Sequence, residues 1–210
     1  MLAAAGAVDS ARNELGVLDG AAGDGDHGMT MSIGARNLRR RLQALPSDAP
    51  VGDLVRAAGA AMSDVGGAIG PLYSAALGAI AAEIAVPTAG RVGDIAQLRR
   101  AAETAERAIS DLGHASPGDK TVLDAFHPLV LLLRDSESDG RAVGPALEAA
   151  IAAAQSGAAD TAEMVARIGR ASRLGERSRG LPDAGATSFA IIVRAMVDAY
   201  RQAHSTAEKA

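Results

Sequence analysis

Residues 94–112 read Asp94-Ile95-Ala96-Gln97-Leu98-Arg99-Arg100-Ala101-Ala102-Glu103-Thr104-Ala105-Glu106-Arg107-Ala108-Ile109-Ser110-Asp111-Leu112. Ile95, Leu98, Ala102, Ala105, Ile109 and Leu112 recur at gaps of three and four residues, which places them on one stripe of an α-helix. Asp94 stands three residues ahead of Gln97, a capping-box pattern with an acidic side chain in place of the usual Ser or Thr. Asp160 and Glu163 repeat it at the opening of a later segment.

The same periodicity, carried outward, predicts helices near 2–16, 29–45, 51–65, 72–84, 94–112, 121–134, 143–168 and 185–205, the seventh open to a break around Gly157. The apolar runs Leu129 to Leu133 and Ala190 to Val193 would pass for buried strands on composition. Neither has a hairpin turn or a partner run nearby, so helix is the better reading. Pro128 should mark a first turn or a kink. Short connections favour antiparallel neighbours, and the expectation is an all-α single domain over residues 1–210, an up-and-down helical assembly.

Composition agrees. Of 210 residues 48% are hydrophobic and only 2% aromatic, so the core must be built from small and aliphatic side chains that suit closely packed helices. A formal net charge of −4 without a long basic run argues against nucleic-acid binding. No cysteine is present, which excludes disulfides, zinc-thiolate sites and thiol catalysis. No basic N-terminal region and no apolar run near the roughly 20 residues of a membrane span occur, so a soluble, unprocessed, cytoplasmic protein is expected.

The predicted interhelical segments 17–28, 64–71, 113–120 and 169–185 are rich in Gly with polar or charged residues. Alternate loops of an up-and-down bundle share an end, so several of these can meet on one rim. The first reads Leu18-Asp19-Gly20-Ala21-Ala22-Gly23-Asp24-Gly25-Asp26-His27-Gly28. Its three carboxylates have no Lys or Arg among them and repel one another unless a cation lies between them. Hard oxygen donors suit Mg²⁺ or Ca²⁺, and a helix starting near Met29 would offer free N–H groups and a positive dipole end to a phosphate sharing the metal. His27 is a candidate ligand or orienting group. A solvated acidic turn accounts for the same residues, because Asp and Gly are the expected turn formers.

Other templates fail. An EF-hand starting at Asp24 would need a ligand at Gly28 and a Glu at Ala35, and the G-x-G-x-x-G spacing of Gly23, Gly25 and Gly28 lacks a preceding strand. The P-loop, H-E-x-x-H and G-x-S-x-G patterns are absent. In the second segment Gly66, Gly67 and Gly70 precede Pro71, which is placed to start a helix; such a loop can approach phosphate or simply turn a corner. The fourth carries Arg170, Arg173, Arg177 and Arg179, fit for phosphate or for surface ion pairs.

Together these segments resemble the L subunit of dihydroxyacetone kinase. The landmarks fall in order: Leu18-Asp19 with Gly23 to Gly28, then Gly66 to Leu72, then Gly118-Asp119-Lys120-Thr121, then Leu174 to Ser178 running to Asp183-Ala184-Gly185-Ala186-Thr187-Ser188. The resemblance implies an eight-helix antiparallel up-and-down barrel with ADP or ATP at one rim. It implies that Asp19, Asp24 and Asp26 bind two Mg²⁺ ions, with His27, Gly28, Met29 and Thr30 beside them. Ala68 and Ile69 would cover the phosphates, while Gly113, Val122, Arg170, Asp183, Ala184 and Gly185 would border the nucleotide. The ketose would be held by a separate K-type subunit, and the phosphate donor would be ATP or a phosphotransferase-system phosphohistidine protein. Ile69 stands where the family usually has Ser, and Ala184 where Pro is usual. A nucleotide-sensing regulatory module is a rival reading, as is a fatty-acid-kinase-like domain, although those proteins are usually longer.

Overall fold

The computed structural model describes residues 1–86 and 93–207, which are helical with no strand among them. Among the described residues nine α-helices follow one another: α1 (Leu2–Ser10), α2 (Arg12–Ala22), α3 (His27–Gln43), α4 (Val51–Ser63), α5 (Ile69–Ala85), α6 (Ile95–Gly113), α7 (Val122–Ser138), α8 (Val143–Asp160) and α9 (Ala184–Ala207). Two 3₁₀ segments, Thr161–Glu163 and Arg170–Ser178, lie between α8 and α9.

The helix predicted over 2–16 is two, parted at Ala11, and the second runs on to Ala22. Asp19 therefore rides on a helix, and the first loop shrinks to residues 23–26. The predicted helix over 143–168 stops at Asp160, so the Asp160–Glu163 pair closes α8 and makes no side-chain cap. Gly157 does not break α8. It is buried there, and a Cβ at that position would lie 2.2 Å from the Asp124 carbonyl oxygen, so glycine lets α8 press against α7. Pro128 sits inside α7, in its second turn. Asp94 caps α6 by accepting from the Gln97 N–H at 2.8 Å, while the Gln97 side chain accepts from Gly93 N–H at 2.7 Å, one residue before the box pattern would place it. Both apolar runs that resembled strands are helical.

Chain neighbours from α3 to α9 pack pairwise, α9 returns against α1, and α1 packs on α3, so the contacts form a closed ring. Ala105, Ala125, Ala154 and Ala186 are all fully buried, which lets the helices approach to about the 8–10 Å spacing of closely packed pairs. Phe126 and Phe189 meet in the core with ring centroids 4.5 Å apart, tying α7 to α9. No helix among the described residues is long and apolar enough to cross a membrane.

Candidate functional site

A cavity of about 610 Å³ opens where residues of all four glycine-rich segments meet. That is a volume suited to a small-molecule ligand. Leu72, Ile109, Leu112, Val122 and Ile168 give it apolar walls.

Asp19, Asp24 and Asp26 stand at its edge. One carboxylate oxygen from each lies within 4.8 Å of the others, with Asp19 half-buried and the other two exposed. Local sequence dictates this grouping. Asp19 is fixed by the last turn of α2, Gly25 adopts the left-handed φ of +76° that lets the chain double back, and Asp26 is the N-cap residue of α3. The His27 N–H donates to Asp19 Oδ2 at 3.2 Å, so the first turn of α3 is aimed at the carboxylates. Arg170, reaching across from the second 3₁₀ segment, pairs with Asp24 and, at 3.3 Å, with Asp26. One guanidinium against three carboxylates leaves the cluster acidic, and its all-oxygen donor set fits a hard divalent cation.

The His27 ring turns away from the cluster. It is buried, with Nε2 2.9 Å from Ser188 Oγ on α9, and burial lowers its pKa although Asp19 nearby acts in the opposite sense. An imidazole so placed ties α3 to α9. Ser188 Oγ also donates to the Gly185 carbonyl at 3.0 Å. The Tyr73 hydroxyl points toward Ser188 without a hydrogen bond of ordinary geometry, and burial pushes its pKa up.

Thr30, Ala68, Ile69 and Gly113 line the cavity, as do Val122, Arg170 and the Asp183-Ala184-Gly185 turn. Gly28 and Met29 do not. Gly28 is buried where a Cβ would lie 2.0 Å from the Arg12 carbonyl oxygen, and Met29 is exposed with its sulfur 3.2 Å from Arg12 Nη2. Ile69 is the first residue of α5, not part of a loop, and packs on the core patch of Met31, Met62 and Val65. Asp183 caps α9 by accepting from the Ala186 N–H at 2.7 Å. Burial pushes its carboxyl up to about 6, with the neighbouring Asp124 adding to the effect and the Ala186 N–H and Lys120 opposing it.

Sequence reasoning missed three supporting groups. Asp124 and Thr121 form a capping box on α7, a T-x-x-D pattern that was legible. Ser188 carried no signal beyond its place in the last landmark. Lys120, a lone cation in a glycine-rich loop, is buried.

Fold and rim define an all-helical protein whose carboxylate cluster stands at the mouth of a partly apolar cavity. The chain belongs to the DAK2 domain family, which matches residues 21–198. It is similar to the ADP-binding subunit DhaL of the PEP-dependent dihydroxyacetone kinase of Escherichia coli, 38% identical over 88% of this chain and 87% of that one. It is also similar to the D-erythrulose kinase of Mycolicibacterium smegmatis, 39% identical over 93% of this chain but only 34% of that protein, so it spans about a third of such longer relatives. Among solved structures, the dihydroxyacetone kinase of C. freundii superposes with a TM-score of 0.72 at 26% identity, covering 94% of this chain and 33% of that one. The same enzyme in complex with AMP-PNP and Mg²⁺ gives a TM-score of 0.69.

Proposed function

We propose that this chain is the nucleotide-binding subunit of a dihydroxyacetone-type kinase, a phosphotransferase that handles Mg-bound ADP or ATP while a K-type partner holds the ketose. The observation that carries the reading is the carboxylate cluster beside the first turn of α3 at the cavity mouth. A relative named as an ADP-binding subunit, of similar length, supports it. Residues 1–210 then form one nucleotide-binding domain, with α1 and α2 as one stave of an eight-stave antiparallel up-and-down barrel. A cytoplasmic location follows from the reading.

Asp19, Asp24 and Asp26 would hold Mg²⁺, two ions by family resemblance, which neutralises phosphate charge when bound. The chain's own residues do the rest. The N-terminal turn of α3, at His27 to Thr30, lies beside the phosphates and turns its positive dipole end toward them. Arg170, which stands at the same rim beside Asp24 and Asp26, would bond phosphate oxygens. Ala68 and Ile69 cover the phosphates, and the walls at Gly113 and Val122 receive the base. The turn at Asp183, Ala184 and Gly185 closes the far side. Alignment of donor and acceptor supplies the rate, and no general base is required from this subunit.

The erythrulose kinases among the relatives favour a three- or four-carbon ketose as the acceptor class. The test is reconstitution. The purified chain alone should phosphorylate neither dihydroxyacetone nor erythrulose, and adding a K-type subunit should give transfer from ATP or from a phosphotransferase-system phosphohistidine protein. Turnover by the chain alone would overturn the two-subunit reading. Nucleotide binding without transfer under any pairing would favour a nucleotide-sensing module instead.

A further inference from the structure

The segment from Thr161 to Asp183 carries Arg170 to the carboxylates and Asp183 to the cavity, yet it is held by little apolar packing. Ala166 and Ser178 are its buried residues beyond Thr161. What gathers it is a single side chain from the neighbouring loop. Lys120 is 4% exposed, and its ammonium donates to three backbone carbonyls of this segment: Met164 at 3.3 Å, Leu181 at 2.9 Å and Ser178. An ammonium has three protons to donate and no acceptor, so this geometry uses its whole capacity.

Two further observations set Lys120 apart from an ordinary buried lysine. Its backbone lies at φ +63°, the left-handed region that disfavours side chains, in a loop that already uses glycine for that purpose at Gly118. Glycine would be the easier residue at position 120, so the strain is tolerated for the side chain. A neighbouring bond joins the segment to the same loop, and others tie the segment to itself. Arg167 N–H donates to the Asp119 carbonyl at 3.1 Å, while within the segment Ala166 N–H donates to Ser178 Oγ at 2.9 Å and Asp183 N–H to Thr161 Oγ1 at 2.8 Å.

We infer that Lys120 is a positioning residue for phosphoryl transfer, its buried ammonium fixing the Met164–Leu181 segment so that Arg170 is presented to the phosphate site. Lys120 borders the cavity, but its ammonium protons are committed to backbone carbonyls, and it acts through the backbone it holds. Burial lowers its pKa, Asp183 opposing, and desolvated carbonyls in turn hold the charge in place. The inference rests on the nucleotide-binding reading for its consequence, though not for the clamp itself.

Lys120→Met keeps the stem and removes the donors. Calorimetry should find Mg-ADP bound at least tenfold more weakly, while Mn²⁺ alone binds within twofold of wild type. Hydrogen exchange should lose protection at the amides of Ala166, Arg167 and Gly180 with α6 and α7 unchanged. Lys120→Arg, which restores charge and donors, should recover most of the affinity, a rescue that a mere filler of space would not need. Wild-type affinity together with intact loop protection in Lys120→Met would overturn the inference. If that variant does not fold, Lys120→Gln carries the test: its amide keeps two donors without the charge and should weaken Mg-ADP at an unchanged core melt, and wild-type affinity would be decisive against the clamp. Should the wild-type chain bind no Mg-ADP, the nucleotide reading fails while the exchange data still decide whether Lys120 holds the segment.

Discussion

His27 and Ser188 lie 161 positions apart in the chain, and their side chains meet at 2.9 Å in a buried contact. The bond joins the first turn of α3 to the second turn of α9, near two helix N-termini that border the cavity. Replacing Ser188 with Ala leaves a buried imidazole without this partner. A loss of about 1–3 kcal/mol of stability is expected, as for an orphaned buried polar group. Urea denaturation measures it, and a change below a few tenths would show that the ring finds another partner.

Asp26→Asn, or Asp24→Asn, should abolish Mg-dependent nucleotide binding and leave the helices intact. The three clustered carboxylates repel one another, so the neutral variant loses cation affinity and relieves repulsion in the free protein. Calorimetry with Mg-ADP beside a thermal melt checks both halves. Wild-type affinity in both variants would sink the metal assignment.

Asp183 predicts a pH dependence. Its carboxyl, ordinarily near 3.8, is pushed up to about 6 in the folded chain. Below pH 4 the group is protonated in both states and has no effect. Between 4 and 6 the folded state binds more protons than the unfolded one, so stability falls as pH rises, and above 6 the loss is complete. At 1.36 kcal/mol per pH unit this comes to about 2–3 kcal/mol. Asp183→Asn can still accept from the Ala186 N–H and should escape the loss. The stability of the variant relative to wild type should therefore rise between pH 4 and pH 7 and then level off. A difference independent of pH would contradict the assignment.

Two glycines should respond oppositely to alanine. At Gly28 the added Cβ would meet the Arg12 carbonyl oxygen at 2.0 Å, so α2 and α3 must part at a cost of about 2–3 kcal/mol, and Asp19 moves relative to Asp26. At Gly78 nothing lies within 4 Å, and alanine in the middle of α5 should stabilise by about 0.5–1 kcal/mol. Paired denaturation curves test both, and a neutral Gly28→Ala would show that the helices can slide.

Much of this was legible because helical periodicity is a local property. The stripe from Ile95 to Leu112 forms as read, and Asp94 caps it. The grouping of Asp19, Asp24 and Asp26 was legible for the same reason, their spacing being short. What escaped depended on partners distant in sequence. Gly157 looked like a break because glycine weakens an isolated helix, whereas here it is the point where α8 meets the Asp124 carbonyl. His27 looked like a ligand or an orienting group because of its neighbours, and only the fold brings its ring against Ser188. Lys120 stood only as one member of the Gly118–Thr121 landmark, and its role shows only where the carbonyls of residues 164–181 close around it.

The closed ring has a consequence for the order in which the molecule comes to exist. One side of the cavity rim is made by residues 18–30 and another by residues 168–185, and α1 finds its neighbour α9 only across nearly the whole chain. During synthesis the aspartates emerge early and must wait for Arg170, Asp183 and Ser188. Contacts of such sequence separation form late in folding, because the loop they close is costly in entropy until the intervening helices have packed. A growing chain therefore displays its acidic cluster long before it has a cavity to serve. Ligand capture becomes a report that the last helix has docked, and an Mg-nucleotide added during refolding should accelerate none of the early steps while trapping the final one.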